Sequence, residues 1–317
     1  MKHRFYPRMH AGRFYNFAEE HNPVNFVQSA YMFFKFLLKR QNTIFNKQEW
    51  ISENQRILPQ EKPSISWIGH ATFLIHINGK TILTDPVFDD LSFLFKRINK
   101  PGIAFDLLPK IDIVLISHNH WDHLDISCLK KIYKLYKPEI LVPMGDKKTL
   151  EWHGIKTVKE YMWWERESIA GIEFSFLPAY HWSQRSLFDR NKSLWGSWMI
   201  RHDSFTIYFA GDTAYSQHFS AIAQEFSSID IALMPIGPCE PKKWMRLSHA
   251  TAEEAVQGFM DLKAKHFVPM HWGTFHFGLD EIILPIERLV KEWEMQELAQ
   301  KENFLHLLKL GEQKIFF

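Results

Sequence analysis

Four side chains of metal-binding type fall within six residues, at His118, His120, Asp122 and His123, just after the apolar run Ile111–Ile116. The run has the length and composition of a buried strand. No other feature constrains the fold as tightly, because it requires a sheet whose strand end opens onto a cluster of polar ligands. His118 and His120 are two residues apart, so in extended backbone they point the same way. Imidazole and carboxylate suit borderline divalent metals such as zinc, and a ligand set without cysteine leaves iron or manganese open. A solvated polar loop would not need four such residues behind a buried strand. One closed site would not need four ligands from one loop either, which points to two adjacent metals sharing it.

Two sites require further ligands, and three residues stand at equivalent places. His181 lies beyond the alternating strand Ile172–Phe176, Asp212 follows the apolar run Phe205–Ala210, and His271 follows Phe267–Met270. Each alone would more often be structural. Together with the loop they make five histidines and two aspartates, enough for two sites with one shared carboxylate to screen cation repulsion. No competing chemistry is visible: there is no Gly-rich phosphate loop, Gly-x-Ser-x-Gly or Cys-x-x-Cys. Cys128 and Cys239 read as buried, reduced thiols. A net charge of +2 on 317 residues gives no reason to expect a nucleic-acid partner.

The remaining pattern alternates strands with helices. Ser66–Ile68, Thr72–Ile77 and Thr81–Thr84 read as strands, with Asn78-Gly79 as a hairpin turn. Ile126–Tyr136 reads as a helix capped by Asp125. Trp198–Ile200 and Phe205–Phe209 flank a hairpin at His202-Asp203. Ile229–Met234 and His266–Met270 are further strands. Thr251-Ala252-Glu253-Glu254 is a capping box opening a helix to about Leu262, and Glu287–Gln300 reads as a last helix. The hairpin ending at Thr84-Asp85 is echoed by the one ending at Gly211-Asp212. This suggests a weak internal repeat of two face-to-face sheets with helices outside.

Residues 1–60 differ from the catalytic-type domain expected over 61–317. Phe26, Phe33, Phe34 and Leu37 recur at helical spacing beside Lys35, Lys39 and Arg40, so an amphipathic helix in an N-terminal arm is expected. It would pack on the core or at a homodimer interface, or lay those four side chains on a membrane surface. The first twenty residues lack a signal peptide's apolar core, and no run is long enough to span a bilayer. The expected location is cytoplasmic, with peripheral membrane contact open.

At these residues the chain resembles the metallo-β-lactamase superfamily, whose hallmark is His-x-His-x-Asp-His followed by separate His, Asp and His. It is more narrowly similar to the N-acylphosphatidylethanolamine-hydrolysing phospholipase D branch. The resemblance rests on Trp67-Ile68-Gly69-His70-Ala71-Thr72, Leu83-Thr84-Asp85-Pro86, His118–Asp125, His181-Trp182, Leu194-Trp195-Gly196-Ser197-Trp198, Phe209-Ala210-Gly211-Asp212-Thr213, Pro235-Ile236-Gly237 and His271-Trp272-Gly273-Thr274-Phe275. It runs colinearly from about Ser64 to Phe275. The N-terminal sixty residues match only through Gly12-Arg13-Phe14 and Asn22-Pro23, and Asp89–Lys100 is particular to this chain.

The resemblance implies an α/β fold (α+β in some schemes), a four-layer αββα sandwich of two mixed sheets. It implies one metal on His118, His120 and His181, another on Asp122, His123 and His271, and Asp212 bridging. Di-iron relatives commonly carry Glu in place of the second loop histidine, so His120 favours the zinc hydrolase type. Asp85 matches a carboxylate that orients a ligand imidazole. His249 matches a histidine near the substrate and is a candidate proton donor, with Asp122 helping to handle the nucleophile's proton. His70 matches a further position and reads as a buried, hydrogen-bonded histidine. The activity implied is hydrolysis of N-acylphosphatidylethanolamine or a related phospholipid by a hydroxide bridging the metals. A lactonase or a soluble phosphodiesterase would use the same metals, and a non-catalytic metal-bound sensor would not need the complete set.

Overall fold

The structure, a computed structural model, describes residues 4–18, 35, 50–52, 57 and 61–316. Its strands in chain order are β1 (Arg8–His10), β2 (Arg13–Tyr15), β3 (Ser64–Gly69), β4 (Thr72–Ile77), β5 (Lys80–Thr84), β6 (Ile113–Leu115), β7 (Glu139–Pro143), β8 (Val158–Tyr161), β9 (Arg166–Ile169), β10 (Ile172–Leu177), β11 (Ser197–His202), β12 (Phe205–Phe209), β13 (Ile229–Pro235), β14 (Ala264–Met270), β15 (Phe304–Leu305) and β16 (Gln313–Ile315). Two seven-stranded sheets carry fourteen of them, in the orders β16-β3-β4-β5-β6-β7-β8 and β15-β14-β13-β12-β11-β10-β9. β1 and β2 form a separate hairpin.

The two sheets repeat one plan. In the first, β3, β4 and β5 meander antiparallel and β5, β6, β7 and β8 then run parallel. In the second, β10, β11 and β12 meander and β12, β13, β14 and β15 run parallel. Asp85 and Asp212 occupy the same place in the two halves, just past the last meander strand. The echo read from the two hairpins is therefore a repeat of topology.

Alternation along the strands explains the layers, because successive side chains leave opposite faces of a sheet. Ile113 and Leu115 join the large core that holds Phe174, Phe176, Trp198 and Phe209 of the second sheet. Val114 and Ile116 face the other way, onto Leu129 and Ile132 of helix α1 (Ile126–Tyr136). Asp125 caps α1 by accepting from the backbone N–H groups of Ser127 and Cys128, a contribution of about 1 kcal/mol. Further α-helices over residues 61–316 are α2 (Lys147–Trp152), α3 (His218–Glu225), α4 (Lys242–Met245), α5 (Ala252–Leu262) and α6 (Leu284–Met295). α5 opens on the expected capping box at Thr251 and packs between α3, α6 and β13.

The structure departs from the sequence reading in several places, three of them near expected features. The β11–β12 turn is Asp203-Ser204, since His202 still pairs with Phe205. α6 starts earlier than expected and ends at Met295, where Pro285 favours the first turn and the left-handed Glu297 follows the end. In the N-terminal arm, β1 and β2 make a hairpin. The expected amphipathic helix, with Phe26, Phe33, Phe34 and Leu37, lies outside the described residues.

Candidate metal centre

All seven expected ligands meet at the C-terminal ends of parallel or adjoining strands. β6 leads into His118, His120, Asp122 and His123; β10 leads to His181, β12 to Asp212 and β14 to His271. His118 Nε2 lies 2.8 Å from His120 Nδ1, which is 3.2 Å from His181 Nε2. Nitrogen ligands about 2.0–2.1 Å from a tetrahedral zinc would be spaced by roughly 3.3 Å. A second group sits alongside, with Asp122 Oδ2 3.4 Å from His123 Nε2 and 3.7 Å from His271 Nε2. Asp212 Oδ2 stands between the groups, 3.3 Å from His123 and 3.1 Å from His271 but also 4.0 Å from His118 and 3.8 Å from His181.

The outer nitrogens of His118, His123, His181 and His271 are committed to the protein, and that commitment aims their other nitrogens inward, whereas His120 Nε2 is buried without a partner. His181 Nδ1 donates to the Ser248 carbonyl at 2.7 Å, and His271 Nδ1 to the Gly237 carbonyl at 2.9 Å. Asp85 is fully buried and accepts from His123 Nδ1 at 2.7 Å, Ser117 N–H at 2.7 Å and the Ser117 hydroxyl at 2.6 Å. The Ser117 hydroxyl in turn accepts from His118 Nδ1 at 2.9 Å. Inward atoms that remain buried without a hydrogen-bond partner include His123 Nε2, His271 Nε2 and Asp212 Oδ1. Such orphaned buried atoms are costly unless something they bind completes them. The donor set and its spacing therefore fit two divalent cations.

Comparison with known proteins agrees. The family model described as the beta-lactamase superfamily domain matches residues 80–272. The chain belongs to the beta-lactamase superfamily. It is 34% identical over 258 residues to N-acyl-phosphatidylethanolamine-hydrolyzing phospholipase D 1 of Caenorhabditis elegans, covering 76% of this chain and 72% of that one. It is 36% identical over 243 residues to the mitochondrial enzyme of that name from Saccharomyces cerevisiae, covering 72% of this chain and 52% of that one. Among solved structures, the metallo hydrolase Igni18 of Ignicoccus hospitalis aligns at a TM-score of 0.62 with 20% identity, over 81% of this chain and 99% of its own. The protein is thus a metal-dependent hydrolase of the metallo-β-lactamase fold.

Within this superfamily site, burial works against charge on every ring. It pushes His181 and His70 down to about 3 and His120 to about 4. Neutral imidazoles are the form that ligates a cation. At His123 and His271 burial is outweighed by the carboxylates of Asp212 and Asp122, which lift His271 to about 9 and His123 well above its ordinary value. The same pairing overcomes burial at Asp212 and Asp122 and holds both carboxyls far below the usual range.

Two residues beyond the seven also reach the superfamily centre. His249 Nδ1 lies 3.6 Å from Asp212 Oδ2, and its side chain keeps 18% exposure. His70 is buried and hydrogen-bonded, as read from the sequence, but its partner is Asp122: Nε2 to Oδ2 is 2.9 Å, and the ring lies 4.0 Å from that of His271. Nothing local to Gly69-His70-Ala71 signals that contact. Ser117 was legible only as the neighbour of His118, and its relay to Asp85 spans two strand ends. His70, Asp85 and His271 all hold positive φ, at 54°, 33° and 63°. Non-glycine residues rarely sit there, and such strain concentrates at functional sites. Gly211 precedes Asp212 for a steric reason: a Cβ there would stand 2.5 Å from the Ser117 Cβ.

Proposed function

We propose that the chain is a dinuclear, zinc-type phosphodiesterase of the phospholipase D class, acting on N-acylphosphatidylethanolamine or a closely related phospholipid. The observation that carries the metal-dependent part is Asp212, poised between two groups of inward-facing imidazoles. Similarity to the worm and yeast phospholipases supports the substrate class.

His118, His120 and His181 would hold one ion, and Asp122, His123 and His271 the other, with Asp212 shared. Bound there, two divalent ions would acidify a water from about 15.7 to about 7 and offset charge on the phosphate oxygens. Hydrolysis of the lipid would form a bond from a water oxygen to phosphorus and break the bond from phosphorus to the N-acylethanolamine oxygen. His249, 3.6 Å from Asp212 and pushed down to about 3 by burial, would stand as a neutral imidazole that hydrogen-bonds the departing oxygen while that oxygen takes its proton from solvent. Asp122, held ionised, would accept a hydrogen bond from the attacking water and so help to handle its proton, and its bond from His70 fixes its orientation.

A lipid also needs an apolar approach. Trp121 (58% exposed) sits in the ligand loop, and Leu187 and Phe188 (87% and 79%) follow His181. These two loops would meet the acyl region beside the ligands.

The test is to measure the metal content of purified protein and then assay the same sample on N-acylphosphatidylethanolamine, phosphatidylcholine and a water-soluble phosphodiester. Metal-dependent release of N-acylethanolamine and phosphatidic acid supports the reading. Turnover of the soluble ester alone would replace the lipid substrate with a soluble one, and full turnover by metal-free protein would overturn the mechanism.

A further inference from the structure

We propose that the N-terminal hairpin is part of the metal centre, with Asn16 as the positioning residue for His181. The proposal rests on the reading that the site holds two metals. Asn16 lies in the segment just after β2, where resemblance to relatives is loose, and it is 1% exposed. Its Nδ2 donates to the His181 carbonyl at 3.0 Å, and its Oδ1 accepts from the His181 N–H at 3.2 Å. Asn16 Oδ1 also accepts from Trp195 Nε1 at 3.2 Å. A carboxamide is the side chain that offers one donor and one acceptor side by side, so it pairs with a peptide unit as a neighbouring strand would. The backbone of His181 is buried, and it takes from Asn16 the partners that a sheet would otherwise supply.

The same arm grips the far end of the loop that carries His181. Phe14 N–H donates to the Asn191 carbonyl at 2.7 Å, and the Arg13 guanidinium donates to the carbonyls of Arg190 and Phe188. Asn191 closes that loop on itself through Ser183. On its other side, Arg185 donates to the Asn119 and Leu124 carbonyls at 2.8 and 2.7 Å, tying the loop to the one that bears His118, His120 and His123. The backbone of His181 is thus held by a brace from the first eighteen residues rather than by its own strand, which ends at Leu177, while the Ser248 carbonyl turns the ring.

The test uses the full chain loaded with cobalt and follows d–d absorption as a chelator withdraws the metal. Wild type should release two ions, and His181→Ala identifies which phase belongs to the group with His118 and His120. Asn16→Ala should speed that phase by at least about tenfold, the scale at which a residue behind a ligand acts, and leave the other phase near wild type. Asn16→Asp keeps size and acceptor but loses the donor to His181, so it should shift the same phase if the alanine variant does not fold. Asn303→Ala breaks a comparable bond to the Ala264 carbonyl, remote from the site, and should leave both phases unchanged. Wild-type release from folded Asn16 variants overturns the inference; a wild type that binds no metal overturns the metal reading beneath it.

Discussion

Asp212 Oδ2 lies within 4.0 Å of five different imidazoles, those of His118, His123, His181, His249 and His271, so its charge serves both groups. Asp212→Asn preserves its shape and removes that charge; elemental analysis should then find less than one metal per chain. His271→Ala touches one group and should leave close to one. His249→Ala should retain both metals while kcat falls about a hundredfold; a loss of metal in that variant would make His249 a ligand. The cluster of seven side chains was legible because ligand-type residues stood at strand ends in a chain with few other clusters. The partners of those ligands were not. His70 meets Asp122, and Asn16 meets His181, across long stretches of sequence, and no local pattern encodes which distant atom a buried polar group will find.

The features that local chemistry decides were readable among the elements. Asn78-Gly79 takes positive φ at both residues, and Asp125 and Thr251 cap α1 and α5 as their spacing requires. Short edge strands such as β9, which alternates only between exposed and half-buried, and β16, half-buried throughout, bury no face that the sequence could show. α2 also went unread, and it begins after a residue with its own titration. Asp146 is buried and accepts from Asn119 Nδ2 at 3.0 Å, yet burial outweighs the bonds from Ser193 and Asn119 and pushes its carboxyl up to about 7. The folded state therefore binds this proton more tightly than the unfolded chain, where Asp titrates near about 3.9. Its contribution to stability is complete below that value and is lost as pH rises toward 7. Urea midpoints should fall between pH 5 and pH 8 in wild type by more than in Asp146→Asn. Equal pH dependence in the two proteins would refute this account.

At the scale of the molecule, ligands come from loops of both sheets: His118, His120, Asp122 and His123 from the first, and His181, Asp212 and His271 from the second. A bound ion ties those loops together, and anything that binds only the folded state raises its stability. Chelation should lower the melting temperature by several degrees or more, and stoichiometric zinc should restore it; an unchanged melting curve would mean that the ions add nothing to the assembled sheets. The division of ligands was predictable from the sequence as two halves with a repeated hairpin. Their convergence was not, because the packing of one sheet on the other depends on side chains spread over the whole core.

The repeat has a consequence for timing. Each group of ligands takes members from both halves, and His271, which completes the second, follows the last long strand. A ribosome that has delivered β3 to β8 has made four of the seven ligands and no complete group. On the proposed ligand assignment the chain would carry its own interlock: hydrolysis would wait until β14 has been synthesised and docked, and a product truncated before β14 would stay inert however well its first half folds.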